Sequence, residues 1–184
     1  MKILKTILFV FLGLIVLVGL VALFAKKEYA VEREVMINKP NTEVFQYVKL
    51  LKNQDNFSVW ATMDPTMKKE YRGTDGTVGF VSAWDSEKKN VGAGEQEIMN
   101  IKEGERLDFE LRFLEPFKST DQAYMITETV GENQTKVKWG FNGKMNYPMN
   151  LMLIFMDMDE MLGKDLEQGL SNLKTVLENN TPQS

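Results

Sequence analysis

Apolar residues are distributed in three ways along this chain. Thr6 to Ala25 carries no charge and is mostly Leu, Val, Ile and Phe. Roughly 20 such residues, as a helix, cross a bilayer core of about 30 Å. From Tyr29 to Lys144 the apolar residues instead alternate with polar ones in short runs, which predicts strands. Beyond Pro148 the spacing changes again. Leu162, Leu166, Leu170, Leu173 and Leu177 follow one another at steps of three and four, the spacing of one helix face.

In the middle regime, Val31, Val35 and Ile37 share one face of a first strand, Tyr29 to Asn38, with Glu32 and Glu34 on the other. Arg33 falls among the apolar set, so it marks a strand end, an edge or a cavity charge. Pro40 opens a short helix with Val44, Phe45, Val48 and Leu51 on one side. Lys52 to Pro65 holds a second short helix and a loop. Strands are then predicted at Lys68–Arg72, Val78–Trp84, Gly92–Ile101, Leu107–Phe113, Ser119–Val130 and Thr135–Lys144, with turns at Gly73–Gly76, Ser86–Asn90, Glu103–Glu105 and Gly131–Gln134. Consecutive strands joined by short turns make an antiparallel meander.

The last regime predicts one helix from Pro148 to Asn179, with Pro148 in its first turn and Pro182 beyond its end. A long helix after a run of strands needs a sheet to lie against. Leu151 to Met156 is apolar all round, so the face turned from the sheet must also meet something apolar. Met145, Met149, Met152, Met156, Met158 and Met161 crowd this region. Methionine suits a core, and equally a ligand-facing or membrane-facing surface that adapts to varied apolar shapes.

Composition narrows the chemistry. The chain has 184 residues and contains neither cysteine nor histidine. Disulfides, thiolate nucleophiles and His-based triads are excluded, as are the usual zinc and iron ligand sets. The net charge is −4 although Lys2, Lys5, Lys26 and Lys27 flank the first apolar run, so the rest of the chain is distinctly acidic. That argues against nucleic acid as a partner. The glycines Gly73, Gly76 and Gly79 precede no helix and lack a Gly-Lys-Ser/Thr, so they are turn glycines, while Gly92 and Gly94 suit a bulge or bend. The carboxylates Asp157, Asp159, Glu160, Asp165 and Glu167 read as a solvated helix face. No metal site and no cofactor are expected.

Val35-x-Ile37-x-x-Pro40-x-x-x-Val44-Phe45, Trp60 with Asp64, Gly79-x-x-x-x-Trp84, Gly92-x-Gly94-x-x-x-Ile98 and Thr135-x-Val137-x-Trp139 occur in that order before the long helix. In this arrangement the chain resembles the SRPBCC superfamily (START-like, birch-pollen-allergen-like), of the kind labelled polyketide cyclase/dehydrase. The resemblance covers Tyr29 to Asn179. It implies an α+β helix-grip fold: a curved seven-stranded antiparallel sheet wrapped around a long C-terminal helix, with two short helices after the first strand. It also implies a cavity between sheet and helix that often holds an apolar ligand. The N-terminal transmembrane helix lies outside it.

The resulting expectation is an anchor over 1–27, a helix-grip domain over 28–179 and a polar tail over 180–184. The anchor reading implies a single-pass membrane protein, with Thr6 to Ala25 in the bilayer. A cleaved signal peptide competes with it, but would place Leu23 poorly at the −3 position. The flanking lysines nearly balance, so the side on which the domain lies is left open. The first functional expectation is a monomer binding a hydrophobic small molecule or lipid, without catalytic residues. The expected ligand contacts are Phe80, Trp84, Phe109, Phe113, Tyr124, Trp139, Phe141, Met152, Phe155 and Met156, with Arg33, Tyr124 and Glu128 as candidate orienting groups. A cyclase- or dehydratase-like enzyme and a chaperone-cofactor-like interaction domain are the alternatives.

Overall fold

The computed structural model describes residues 2–88 and 91–179. Lys89, Asn90, and the tail 180–184 with Pro182 lie outside the described residues. Helix α1 (Lys2–Phe24) leads into strand β1 (Glu28–Ile37). Then come α2 (Asn41–Lys49), a 3-10 turn (Leu51–Asn56) and α3 (Val59–Thr62). Strands β2 (Lys68–Arg72), β3 (Val81–Asp85), β4 (Ala93–Lys102), β5 (Arg106–Glu115), β6 (Ser119–Gly131) and β7 (Gln134–Lys144) follow. A 3-10 turn (Met149–Leu151), α4 (Met152–Phe155) and α5 (Met158–Asn179) complete the chain.

The strands form one antiparallel sheet in the order β1-β7-β6-β5-β4-β3-β2. The first strand pairs with the last, so the short helices between β1 and β2 must cross the concave side. Alternation sets the two faces. Val31, Val137, Trp139, Met125, Leu107 and Phe109 point inward and are buried. The predicted bend at Gly92 and Gly94 is a bulge, with the β4–β5 register shifting between Ala93 and Gly94. Leu166, Leu170, Leu173 and Leu177 of α5 are buried against this face, the three-four spacing read from the sequence. Fully burying a leucine is worth about 1.5–3 kcal/mol, so this one stripe is a large part of the adhesion between helix and sheet.

The predicted continuous helix from Pro148 to Asn179 is instead broken at Met156, whose backbone is extended (φ −106°, ψ 123°). Asp157 starts a new helix there. Its Oδ1 accepts a hydrogen bond from the Glu160 backbone N–H at 3.0 Å. An acidic N-cap with Glu at the third helical position is a strong start signal, reinforced by Asp159 and Glu160 in the first turn.

The register gives the sheet two distinct ends. Glu28 lies opposite Lys144, Phe113 opposite Ser119, Glu115 opposite Ala93, and Ala93 opposite Asp85. The end of α1 therefore sits at the same sheet end as the β3–β4 and β5–β6 turns and the Tyr147–Phe155 segment. Ile37, Thr135 and Arg106 belong to the opposite end.

Candidate ligand-binding site

Inward-facing side chains close the core at the far end and leave it open at the α1 end. Along β5, Leu107 and Phe109 are buried, whereas Leu111 and Phe113, the next two inward positions, are only half-buried. Tyr29, Trp84 and Phe141 share that half-buried state around them. Tyr29 stacks on Phe141 with ring centroids 6.0 Å apart, and Trp84 meets Phe113 edge-on at 5.9 Å. The sequence permits this because glycines face the rings. A Cβ on Gly94 would lie 2.5 Å from the Trp84 ring, and one on Gly143 2.2 Å from the Tyr29 ring. Trp84, Trp60, Leu51, Met67 and Gln96 line a cleft of about 80 Å³ between the short helices and β3–β4. Ligand pockets commonly measure about 300–1,000 Å³, so a bound molecule must use the open rim as well, or part these side chains.

The ten expected contact residues fall into four groups. Trp84 and Phe113 meet edge-on at the open end, where Phe141 stacks on Tyr29 instead. Phe80, Phe109 and Trp139 are packed core, with Trp139 held edge-on by Phe57 and Trp60. Met152, Phe155 and Met156 belong to the separate α4 segment, where Phe155 is 86% exposed. None of the three lines the cleft between the short helices and β3–β4.

Tyr124 stands on the outer face, in the opposite phase to buried Ala123 and Met125. Its ring crosses Gly140, its hydroxyl donates to Glu32, and the Arg106 guanidinium lies over the ring at 4.4 Å. Burial, and then the Glu32 carboxylate, push its pKa up to about 12. Glu128 is on the same outer face, bonded to Lys138 at 2.9 Å. Arg33 does take an inward position, but it is spent on the helix. Nη1 and Nη2 donate to the two Asp159 oxygens at 2.9 and 2.8 Å, and Nη2 also to the Asp159 carbonyl at 3.0 Å. None of the three expected orienting groups therefore faces the cleft.

Polar groups at the open end are different ones. Asp121 is buried and points inward, accepting from the Ser119 hydroxyl and the Lys144 backbone N–H, both at 3.0 Å. Burial first, then the Asp121 charge, push the neighbouring Tyr29 hydroxyl up to about 12. The alternation Asp121, Ala123, Met125, Thr127 is the signal for this face. Apolar residues at Ile126 and Tyr124 on the other face hide it.

A second apolar hollow, about 400 Å³ and wide open, lies between α1 and α4, lined by Leu20, Val21, Phe24, Ala25 and Ile154. Beside it, buried Asn150 donates from Nδ2 to the Ala22 and Ala25 carbonyls at 2.7 and 3.2 Å. It thereby caps the C-terminal end of α1, whose last carbonyls have no partners within the helix. The helix from Ile3 to Phe24 is long and apolar enough to cross a membrane or to serve as a signal sequence.

These features define a helix-grip fold, of the birch-pollen-allergen-like and START-like architecture. Solved structures share the architecture. Norcoclaurine synthase from Thalictrum flavum, in complex with dopamine and hydroxybenzaldehyde, is similar with a TM-score of 0.61 at 7% identity, covering 90% of this chain and 95% of that one. Protein MLL2253 from Mesorhizobium loti is similar at 0.59 and 12% identity, over 83% of this chain and 99% of that one. Ara h 8.0201 is similar at 0.56 and 13% identity, over 83% and 99%. At such identities the likeness is one of fold. No family model and no curated protein matches the sequence.

Proposed function

We propose that this protein is a membrane-tethered domain that binds an apolar small molecule or lipid at the open end of its helix-grip core. The observation that carries the reading is the gradient along the concave face. Most inward side chains at one end are buried (Ile37, Leu107, Met125 and Val137), with Val35 and Ile101 partly so, and they give way to the half-buried aromatics Tyr29, Trp84, Phe113 and Phe141 at the other. That open end is the one from which α1 emerges. Apolar walls with a few polar groups are what ligand pockets use, and Asp121 with Tyr29 supplies the polar groups. In the norcoclaurine synthase complex, a protein of this fold carries small aromatic molecules.

The shift of the open-end Tyr29 hydroxyl is not one that suits proton-transfer chemistry. A general acid or base works best near neutrality. Here Tyr29 and Tyr71 are pushed up to about 12, and Asp64 is held at about 2.

The test is native mass spectrometry of the full chain, released from its own membranes in mild detergent. A titration with fatty acids and isoprenoid quinones, followed through tryptophan fluorescence, accompanies it. A co-purifying apolar mass is expected, together with saturable quenching that Phe113→Lys abolishes. If no ligand binds, or if a folded Phe113→Lys variant binds as well as the parent, the reading fails.

A further inference from the structure

We infer that the segment Tyr147–Met156 is a second membrane-contacting element, lying in the acyl–headgroup boundary beside the C-terminal end of α1. The inference rests on α1 being a membrane span, and not on any ligand being bound.

Depth is the main argument. A Cβ placed on Gly19 would stand 3.2 Å from the Tyr147 hydroxyl. Ile154 shares a groove with Leu20 and Val21, and Asn150 bonds the Ala22 and Ala25 carbonyls. The segment thus runs alongside the last two turns of α1. At 1.5 Å per residue, Gly19 lies about 9 Å below Ala25. Interfacial helices sit about 5–10 Å into the same boundary. If α1 spans, its neighbour is carried to that depth.

The chemistry of the segment agrees. No charged residue occurs between Lys144 and Asp157. Met149, Met152, Ile154 and Phe155 are exposed in the absence of a bilayer. Irregular backbone is tolerated at such depth only when its polar groups are satisfied. Here Asn150 N–H donates to the Asn146 carbonyl, Leu151 N–H to that of Pro148, and Met156 N–H to that of Met152, while the buried Asn150 side-chain oxygen has no partner. Pro148 has no N–H to satisfy.

The surrounding surface extends the same contact. Phe117, 74% exposed, projects from the β5–β6 turn at the same sheet end. Exposed Lys26, Lys27, Lys118 and Lys144 rim it and suit anionic headgroups. Exposed acids share this end as well: Glu28, which lies 3.6 Å from Lys144, Glu115, Asp85 and Glu87 of the β3–β4 turn, and Asp157 directly after Met156.

The chain has no cysteine, so single-cysteine variants of the full protein can be labelled cleanly. Phe155→Cys, Phe117→Cys, Val16→Cys and Val78→Cys would carry an environment-sensitive fluorophore. The protein is placed in nanodiscs of phosphatidylcholine and phosphatidylglycerol, with nitroxide-labelled lipid or aqueous iodide as quencher. Val16 reports the span, and Val78, exposed at the opposite sheet end, reports solvent. Labels at 155 and 117 are expected to be quenched by nitroxide lipid about fivefold more than the label at 78, and shielded from iodide. A label at 155 as open to iodide as that at 78, with 16 still lipid-quenched, overturns the inference and leaves the span standing. A label at 155 shielded from both quenchers overturns it in favour of a protein contact, a second copy included. Iodide access at 16 overturns the span, and the inference with it.

Discussion

The Trp139 ring rests so close to Gly169 of α5 that a methyl group there would lie 2.8 Å from the ring edge. The ring is fixed from other sides by Phe57 and Trp60, so it cannot retreat. Gly163, six residues earlier, also faces an obstacle, because its Cβ would lie 2.0 Å from the Arg33 guanidinium. That obstacle is the end of a long, partly exposed side chain whose surface ion pair with Asp159 is worth only about 0–1 kcal/mol if it has to yield. Replacing either glycine with alanine gains about 1 kcal/mol of helix propensity. Overpacking a rigid core costs about 1–3 kcal/mol. Gly169→Ala is therefore expected to destabilise the domain by about 1 kcal/mol net, and Gly163→Ala to be close to neutral. Urea denaturation of the two variants checks the contrast.

Trp139→Ala is expected to cost about 3–5 kcal/mol, as for other buried aromatic truncations. Trp139 is 5% exposed, and the prediction depends on its being packed core. A measured loss under about 1 kcal/mol would place it in an open cavity instead.

Asp64 gives the domain an acid-sensitive joint. Hydrogen bonds from the Ser86 hydroxyl, then from the Thr66 hydroxyl and N–H, hold its carboxyl at about 2. An unfolded aspartate titrates at about 3.9. The folded value is the lower one, so this contribution is complete above about pH 4 and is lost as the pH falls toward 2. Asp64→Asn should flatten that part of the pH–stability curve, measured by thermal melts from pH 2 to 6 on an approximate scale. An unchanged slope would remove Asp64 from the account.

Asn150→Ala should loosen α1 from the domain without unfolding the sheet. It removes the side-chain donors from two carbonyls, Ala22 and Ala25. An unmet buried acceptor costs about 1–3 kcal/mol, and each 1.4 kcal/mol is about tenfold in an opening equilibrium. Tryptic cleavage after Lys26 and Lys27 of protein in nanodiscs is expected to quicken by about tenfold or more. Equal rates in parent and variant would mean that the cap carries no weight.

Thr6 to Ala25 should keep the protein in the membrane pellet through carbonate extraction. Release of full-length protein would overturn the anchor, and so would a mature N-terminus near Lys26, which would favour the signal-peptide reading.

Alternation made the sheet legible. Strands such as β5 and β7 bury one face, and Leu107, Phe109, Val137 and Trp139 announce it at a period of two. The helix-grip architecture followed from their order. The division of the last helix was written in Asp157 and Glu160 but was masked by apolar residues on both sides of the break. The site was legible only in part. Tyr124 and Asp121 differ in facing by one step of phase, and β6 is apolar enough on both faces to hide the phase. Arg33 was a sign of an edge, and β1 is an edge strand of the sheet, but its partner lies 126 residues away on α5, beyond the reach of any local pattern.

Only Ala25, Lys26 and Lys27 separate the end of α1 at Phe24 from the start of β1 at Glu28. Glu28 is already paired with Lys144, so β1 lends no slack. Three extended residues reach about 10 Å at most. With α1 across a bilayer, the domain is moored rather than leashed. It cannot swing across a gap to an apposed membrane. On the proposed reading, an apolar ligand would reach the open end from the lipid beside it.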